Sequence, residues 1–258
     1  MDCPKCGFTT ENGALDCPAC GVVFSKLAGR GERPKAAPVT RENHDWDAYD
    51  PALHYVVGQH DHLFIQQHAR HWWEILLNWE QTNTYHIQAP GSRQIGYIEE
   101  LNVSFMRTLS RLFLGSHRPL DVAVVTGNTQ VLELRRAFFF FFSHLKVMTP
   151  RGTELGEVQR RLGILNRRYD LIDEHGHVFA IIRSPLLRIW TFHIYDAEDR
   201  KVGMISKKWG GLLKEAFTDA DNFLIDFGET NWTPAQRAVI FATAISIDFD
   251  FFENNHQS

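Results

Sequence analysis

TPAQRAVIFATAISIDFDFFE, from Thr233 to Glu253, decides how the rest of the chain is read. Thr233 suits an N-cap, Pro234 suits the first helical position, and Gln236 completes a Thr-x-x-Gln capping box. Behind the cap run Ala238, Val239, Ile240, Phe241, Ala242, Ala244, Ile245 and Ile247, broken only by Thr243 and Ser246. A helix that is apolar on every side is either enclosed by protein or spans a membrane. A span needs about 20 apolar residues, and this run is closed by Arg237 before it and by Asp248 and Asp250 after it. The pattern therefore predicts a buried central helix over 233–249, with a membrane span as the alternative. A helix buried on all sides requires a wall around it.

The wall is legible upstream as a repeated grammar. Tyr85–Ile98 is an alternating run, a turn at Pro90-Gly91, and a second alternating run. The same order returns at Asp121–Leu134 around Gly127-Asn128, at Leu145–Val158 around Pro150-Arg151-Gly152, at Tyr169–Ile182 around Asp173 to Gly176, and at Phe192–Ile205 around Asp196 to Asp199. Period-2 apolar residues on both sides of turn formers signal β-hairpins. Gly96, Gly156 and Gly203 recur shortly after the turns. Sheets of about ten strands or more curl or close, and closure removes the edges. The expected fold is mainly β: a closed antiparallel barrel around the C-terminal helix.

Phe138 to Phe142 is an unbroken run of phenylalanine. Read as a strand, it sends Phe138, Phe140 and Phe142 to one face and Phe139 and Phe141 to the other. One set fills the interior. Two readings are open for Phe139 and Phe141: cover by a loop or helix, or contact with a membrane or partner. Burying one Phe contributes about 1.5–3 kcal/mol, so two at a bilayer would matter.

The chain has 258 residues, 44% hydrophobic and 22% charged, with a formal net charge of −4. That balance is ordinary for a globular protein and carries no global basic field, so nucleic acid is not an expected partner. Basic pairs are local: Arg135-Arg136, Arg160-Arg161, Arg167-Arg168 and Lys207-Lys208 before Trp209. Each is a candidate anion contact or an ordinary solvated strand end. Residues 53–80 are rich in histidine (His54, His60, His62, His68, His71), with no clear third ligand beside any pair. No nucleophile elbow, phosphate loop or His-Glu-x-x-His is present, and an enzyme is not expected.

All 4 Cys lie in residues 1–24, as Cys3-Pro-Lys-Cys6-Gly and Cys17-Pro-Ala-Cys20-Gly. Two such knuckles supply the four thiolates that Zn²⁺ takes in a closed structural site; two redox Cys-x-x-Cys pairs are the alternative. A segment this short folds on its metal. With every ligand position used, it reads as a docking module for a protein partner. Residues 25–50 form a flexible linker with Lys26, Arg30, Arg33, Lys35 and Arg41, either a solvated tether or a weak contact with anionic lipid. Residues 51–253 form the main domain and 254–258 a tail. The N-terminus lacks the apolar stretch of a signal peptide, so a cytoplasmic location is expected, peripheral to the inner face of the plasma membrane if lipid is bound.

With helix and barrel in view, the chain resembles the phospholipid scramblase family. The resemblance is carried by VGMISKKWGG (Val202–Gly211), EAFTDADNF (Glu215–Phe223), IDFDFFE (Ile247–Glu253) and LFIQQHARHWWEILLNWEQTNTYHI (Leu63–Ile87). It covers about residues 53 to 253. It implies the Tubby-like fold, a closed barrel around a C-terminal helix. It also implies calcium-stimulated, ATP-independent, bidirectional movement of phospholipid, or lipid-dependent membrane association. A soluble scaffold for a lipid headgroup or a protein is the alternative. Animal members carry a fatty-acylated cysteine cluster just before the strand that corresponds to Leu145–Thr149; Phe138–Phe142 stands there instead, without cysteine. The calcium segment the family implies begins at Asp219 and Asp221, with Asp226 and Glu229 as further candidate ligands. An EF-hand-like loop wants oxygen ligands at alternate positions and a sixth-position Gly, whereas Phe223 and Leu224 fall at the fifth and sixth. The added ribbon suggests a bacterial member.

Overall fold

Five hairpins build most of the wall. They are β2 (Thr84–Ala89) with β3 (Arg93–Glu100), β4 (Leu120–Thr126) with β5 (Thr129–Arg136), β6 (His144–Met148) with β7 (Glu154–Arg161), β8 (Asn166–Asp173) with β9 (Val178–Pro185), and β10 (Thr191–Asp196) with β11 (Lys201–Ser206). β1 (His62–Gln67) pairs with β2 on one side and with β12 (Asn222–Asp226) on the other, and β12 pairs with β11. The order β1-β12-β11-β10-β9-β8-β7-β6-β5-β4-β3-β2 thus closes on itself as an antiparallel barrel. In the computed structural model the described residues are 9, 48–67, 84–91, 93–101, 119–139, 142–162, 166–185, 190–207 and 222–251. Each hairpin sits where period-2 patterning and turn residues predict it.

Alternation decides the faces. In β6, Leu145 and Val147 are buried while His144 and Lys146 are exposed. In β10, Phe192 and Ile194 are buried and their neighbours are half-buried. The apolar side chains point inward, the reverse of a barrel that presents an apolar outer band to lipid.

The recurring glycines have one structural cause. In all five hairpins the register shifts just after the turn, leaving one extra residue on the second strand: Ile95, Val131, Leu155, Phe179 and Val202. Such a bulge turns two successive side chains toward the same face and sharpens the bend of the strand, which a closed barrel needs. The residue after the bulge is then pressed against a neighbouring strand. A Cβ on Gly96 would lie 2.6 Å from the Val125 carbonyl oxygen. One on Gly156, whose φ is +142°, would overlap the Ile172 carbonyl oxygen and come within 2.9 Å of Val239 Cγ2 on the helix.

A short turn, α1 (Pro51–Leu53) continuing through His54–Gly58, precedes β1, and Asp50 caps it by accepting from the Ala52 N–H at 2.8 Å. The long helix α2 (Pro234–Phe251) follows β12. Its capping box forms as the sequence predicts: the Gln236 N–H donates to Thr233 Oγ1 at 3.1 Å, and the Thr233 N–H donates to Gln236 Oε1 at 3.0 Å. All α2 residues except Gln236 and Phe251 are buried, and the helix packs on β6, β7, β8 and β12. It shares one core with the inward residues of the barrel, Phe192, Phe223, Phe227, Phe241 and Phe249 among them. Among the described residues no helix is long and apolar enough to cross a membrane.

The phenylalanine run departs from its reading as a strand. Residues 137–139 and 142–143 have no strand pairing. Of the two readings open for Phe139, cover or contact, its burial fits cover, and Phe138 and Phe142, read as the interior set, are the exposed members, at 39% and 38%. The reason is that β5 ends at Arg136, whose buried guanidinium lies 5.1 Å from the Phe139 ring centroid and draws that ring inward. Phe141 lies outside the described residues.

Candidate functional site

Antiparallel connectivity gives the barrel two unlike ends. The tight hairpin turns, α1 and the start of α2 gather at one, here the turn end. The opposite strand ends, among them Arg136, His144, Arg161, Asn166, Pro185, Thr191 and Ser206, make up the other, the loop end, where α2 finishes. Arg237 fastens α2 at the turn end. Its guanidinium donates to the Val57 and His60 carbonyls and lies 3.9 Å from the Phe227 ring centroid.

At the loop end the polar residues of the Ile247–Glu253 motif meet the basic pairs. Asp248 accepts from Lys207 Nζ at 2.9 Å and from the Tyr85 hydroxyl at 2.8 Å. Asp250 accepts from Arg136 Nη1 at 2.8 Å and from the Tyr169 hydroxyl at 2.8 Å. All four ionic side chains are nearly or wholly buried. Burial raises the Asp250 pKa above its ordinary value, opposed by the charges of Arg136 and Arg160 and by the two hydrogen bonds. Burial first, and then the Asp250 charge, hold the Tyr169 hydroxyl protonated well above its ordinary range. It therefore remains a donor.

Asp170 receives two further cations, Arg161 Nε at 2.9 Å and Arg168 Nε at 2.8 Å. Arg160 and Arg167 are left over. Both lie over the ring of Phe251, 4.6 and 4.4 Å from its centroid, and neither has an ion pair with a carboxylate among the described residues. Arg167 Nη1 is buried without a hydrogen-bond partner. Its pKa is lowered by burial and by the like charge of Arg160. The basic pairs, scattered over more than seventy positions in sequence, thus converge on the exit of one helix; Lys208 and Trp209 lie outside the described residues.

Among the described residues, the exposed large apolar side chains are Phe138, Phe142, Leu162, Val178 and Trp190. Phe138, Phe142, Leu162 and Trp190 all stand on loop-end connections, and Leu162 is 83% exposed. Val178 is at the turn end, opening β9. Exposure of one apolar residue in a connection, as at Leu162 or Trp190, leaves no periodic signal in the sequence.

The metal candidates divide in two. Cys3, Cys6, Cys17 and Cys20 lie outside the described residues, as do Asp219 and Asp221. Asp226 is described: its Oδ1 accepts from the Gly228 N–H at 2.9 Å and lies 3.5 Å from His62 Nε2, so it caps the turn that leads to α2. Glu229 is exposed. Residues 222–226 pair with β1 along one edge and 224–226 with β11 along the other, with Phe223, Leu224 and Ile225 buried. A strand held on both edges cannot wrap a cation with alternate oxygen ligands, so these residues do not fit a calcium loop. Among the described residues no group of three or more His, Cys, Asp or Glu could hold a metal ion.

A profile of the scramblase family matches residues 44–254. The chain is 29% identical over 217 residues to a phospholipid scramblase family protein of Schizosaccharomyces pombe, covering 70% of this chain and 57% of that one. It is 28% identical over 222 residues to altered inheritance rate of mitochondria protein 25 of Saccharomyces cerevisiae, covering 70% of this chain and 67% of that one. It is 30% identical over 220 residues to phospholipid scramblase 2 of Bos taurus, covering 79% of this chain and 72% of that one.

Proposed function

The chain belongs to the scramblase family, and from that premise we propose that its barrel docks on a phospholipid bilayer by the loop end and there promotes ATP-independent, bidirectional movement of phospholipid. The observation that carries the reading is the gathering of Phe138, Phe142, Leu162 and Trp190 at one end of the barrel, beside Arg160 and Arg167. Full burial of a Leu or Phe side chain contributes about 1.5–3 kcal/mol, and a basic residue near an anionic surface adds about 1 kcal/mol. Several of each, on one rim, support peripheral attachment without a spanning segment. In this reading α2 is the plug of the barrel and fills its interior, so phospholipid would move around the rim and not through the barrel. A soluble scaffold without lipid movement is favoured by the same filled interior, which offers no polar path across a bilayer.

Flotation with vesicles of phosphatidylcholine and phosphatidylserine tests the docking. The protein is expected to float, and F138S/F142S together with L162S to lose on the order of a hundredfold in vesicle partitioning, since each of the three sites gives up roughly 1 kcal/mol. Equal flotation of wild type and variant would overturn the loop-end assignment. Reconstitution with fluorescent lipid and an external quencher then separates the two functions: accelerated loss of inner-leaflet signal supports movement, and an unchanged rate in vesicles that bind the protein leaves the scaffold. For the N-terminal segment we propose that Cys3, Cys6, Cys17 and Cys20 hold one structural Zn²⁺, a fit resting on their four-thiolate donor set, and that this ribbon brings a protein partner to the inner face of the plasma membrane. One zinc per chain by metal analysis, lost in C3S/C6S, is the expected result.

A further inference from the structure

We propose that Arg160 and Arg167, stacked on Phe251 where α2 leaves the barrel, form a binding site for a phosphate group. This deepens the loop-end docking and rests on that reading for its lipid source, though not for the site itself. Every other cation described at the helix exit is already matched: Arg136 by Asp250, Lys207 by Asp248, and Arg161 and Arg168 by Asp170. Arg160 and Arg167 have the Phe251 ring instead of an ion pair with a carboxylate among the described residues. Two guanidiniums brought together with no ion pair of their own repel one another, the Asp250 carboxylate being bonded to Arg136 and acting on Arg160 only from farther off, and the buried, unpartnered Arg167 Nη1 adds the cost of an unmade hydrogen bond. An anion between them relieves both costs.

The geometry favours phosphate in particular. Guanidinium donors are planar and forked, and match the oxygens of phosphate in paired hydrogen bonds. The Phe251 ring holds both guanidiniums in advance, 4.6 and 4.4 Å from its centroid, so less freedom is lost on binding. The elements that hold it are rigid: Arg160 is the next-to-last residue of β7, opposite Tyr169, and its backbone N–H donates to the Ser143 carbonyl at 2.9 Å. Arg167 pairs with Ser184 across β8 and β9. The phosphate is that of a lipid headgroup or of a small soluble ester; the shared chemistry is a phosphate group carrying one or two negative charges over its oxygens.

Calorimetric titration of the full chain with inorganic phosphate and with glycerol 3-phosphate, alongside flotation on phosphatidylcholine vesicles and on vesicles of phosphatidylcholine and phosphatidic acid in equal parts, tests the proposal. Arg160→Gln and Arg167→Gln are each expected to weaken binding about tenfold or more. Arg151→Gln, at the turn end, is expected to bind as wild type. Arginine side-chain resonances of the unaltered protein, followed by NMR during the phosphate titration, supply a readout that does not depend on any variant folding. Loss in both arginine variants with Arg151→Gln intact supports the site. Binding of the soluble esters without flotation supports it with a soluble source and fails the membrane reading. Selective flotation on phosphatidic acid, lost in the two variants, supports it with a lipid source. Equal binding by wild type and both variants, or flotation on both vesicle types with unshifted arginine resonances, overturns it while leaving the membrane reading intact.

Discussion

Arg136→Met isolates the worth of the buried pair at the helix exit. Arg136 and Asp250 have wholly buried side chains, 2.8 Å apart. Removing the guanidinium leaves the Asp250 carboxylate with the Tyr169 hydroxyl and with the more distant charge of Arg160. Breaking one partner from a buried pair costs about 3–5 kcal/mol. Because Asp250 can escape by taking up a proton, the lower end, about 3 kcal/mol, is expected. The loss of the Phe139 and Phe249 faces adds roughly 0.5–1 kcal/mol each. For a domain of this size, 1 kcal/mol moves the midpoint about 2–4 °C, so the melt should fall on the order of 10 °C. The second arm is R136M/D250N, in which the side-chain amide oxygen still accepts from Tyr169 and no unpaired charge remains. The double variant should be more stable than R136M, by about 1–2 kcal/mol. Calorimetry and urea unfolding at neutral pH read both. A cost below about 1 kcal/mol for R136M, or a double variant no better than the single, would refute the view that the charge of Asp250 needs its partner.

Gly156→Ala should cost about 2–3 kcal/mol in urea unfolding, because the new methyl meets the Ile172 carbonyl and Val239 at a positive φ; a cost under about 0.5 kcal/mol would contradict the close approach of β8. Thr233→Ala removes one arm of the capping box, and a loss of about 0.5–2 kcal/mol is expected from the same measurement. The pH dependence of stability carries a component from Asp250. Its folded pKa is raised above the ordinary 3.8, so the fold binds that proton more tightly than the unfolded chain does. The contribution is full below the unfolded pKa and is lost as pH rises through the folded one. Unfolding free energies measured across that acid range should fall less with rising pH in Asp250→Asn than in wild type, and an identical slope would exclude the assignment.

The wall and the helix were legible in the sequence because both follow from local patterning. Period-2 runs around Gly91, Gly127, Gly152, Gly176 and Asp199 specify hairpins, and Thr233 to Gln236 specifies a helix start, each through contacts a few residues apart. Closure of the barrel was also foreseeable, since so many antiparallel strands leave edges that must be paired. The part played by Gly96, Gly156 and Gly203 was visible only as recurrence; register shifts between partner strands explain it, and register is not a local quantity.

The candidate site was another matter. Asp248 and Asp250 read as the polar end of an apolar run, and Arg136, Arg160, Arg167 and Lys207 as ordinary strand ends. Their meeting depends on strands far apart in sequence finishing at one end of the barrel, beside the exit of a helix that enters from the other. The phenylalanine run departs from period-2 logic for the same reason: that logic presupposes a strand, whereas β5 ends at Arg136, whose guanidinium is held by Asp250, 114 residues away, and Phe139 turns inward beside it. By itself, then, the sequence determined the elements, the barrel and the family, all of which rest on near-neighbour pattern and motif. Only the tertiary structure decided which charges are matched, which aromatic rings face solvent, and that Arg160 and Arg167 share Phe251, because pairing of charge and exposure are properties of the closed surface and not of any stretch of chain.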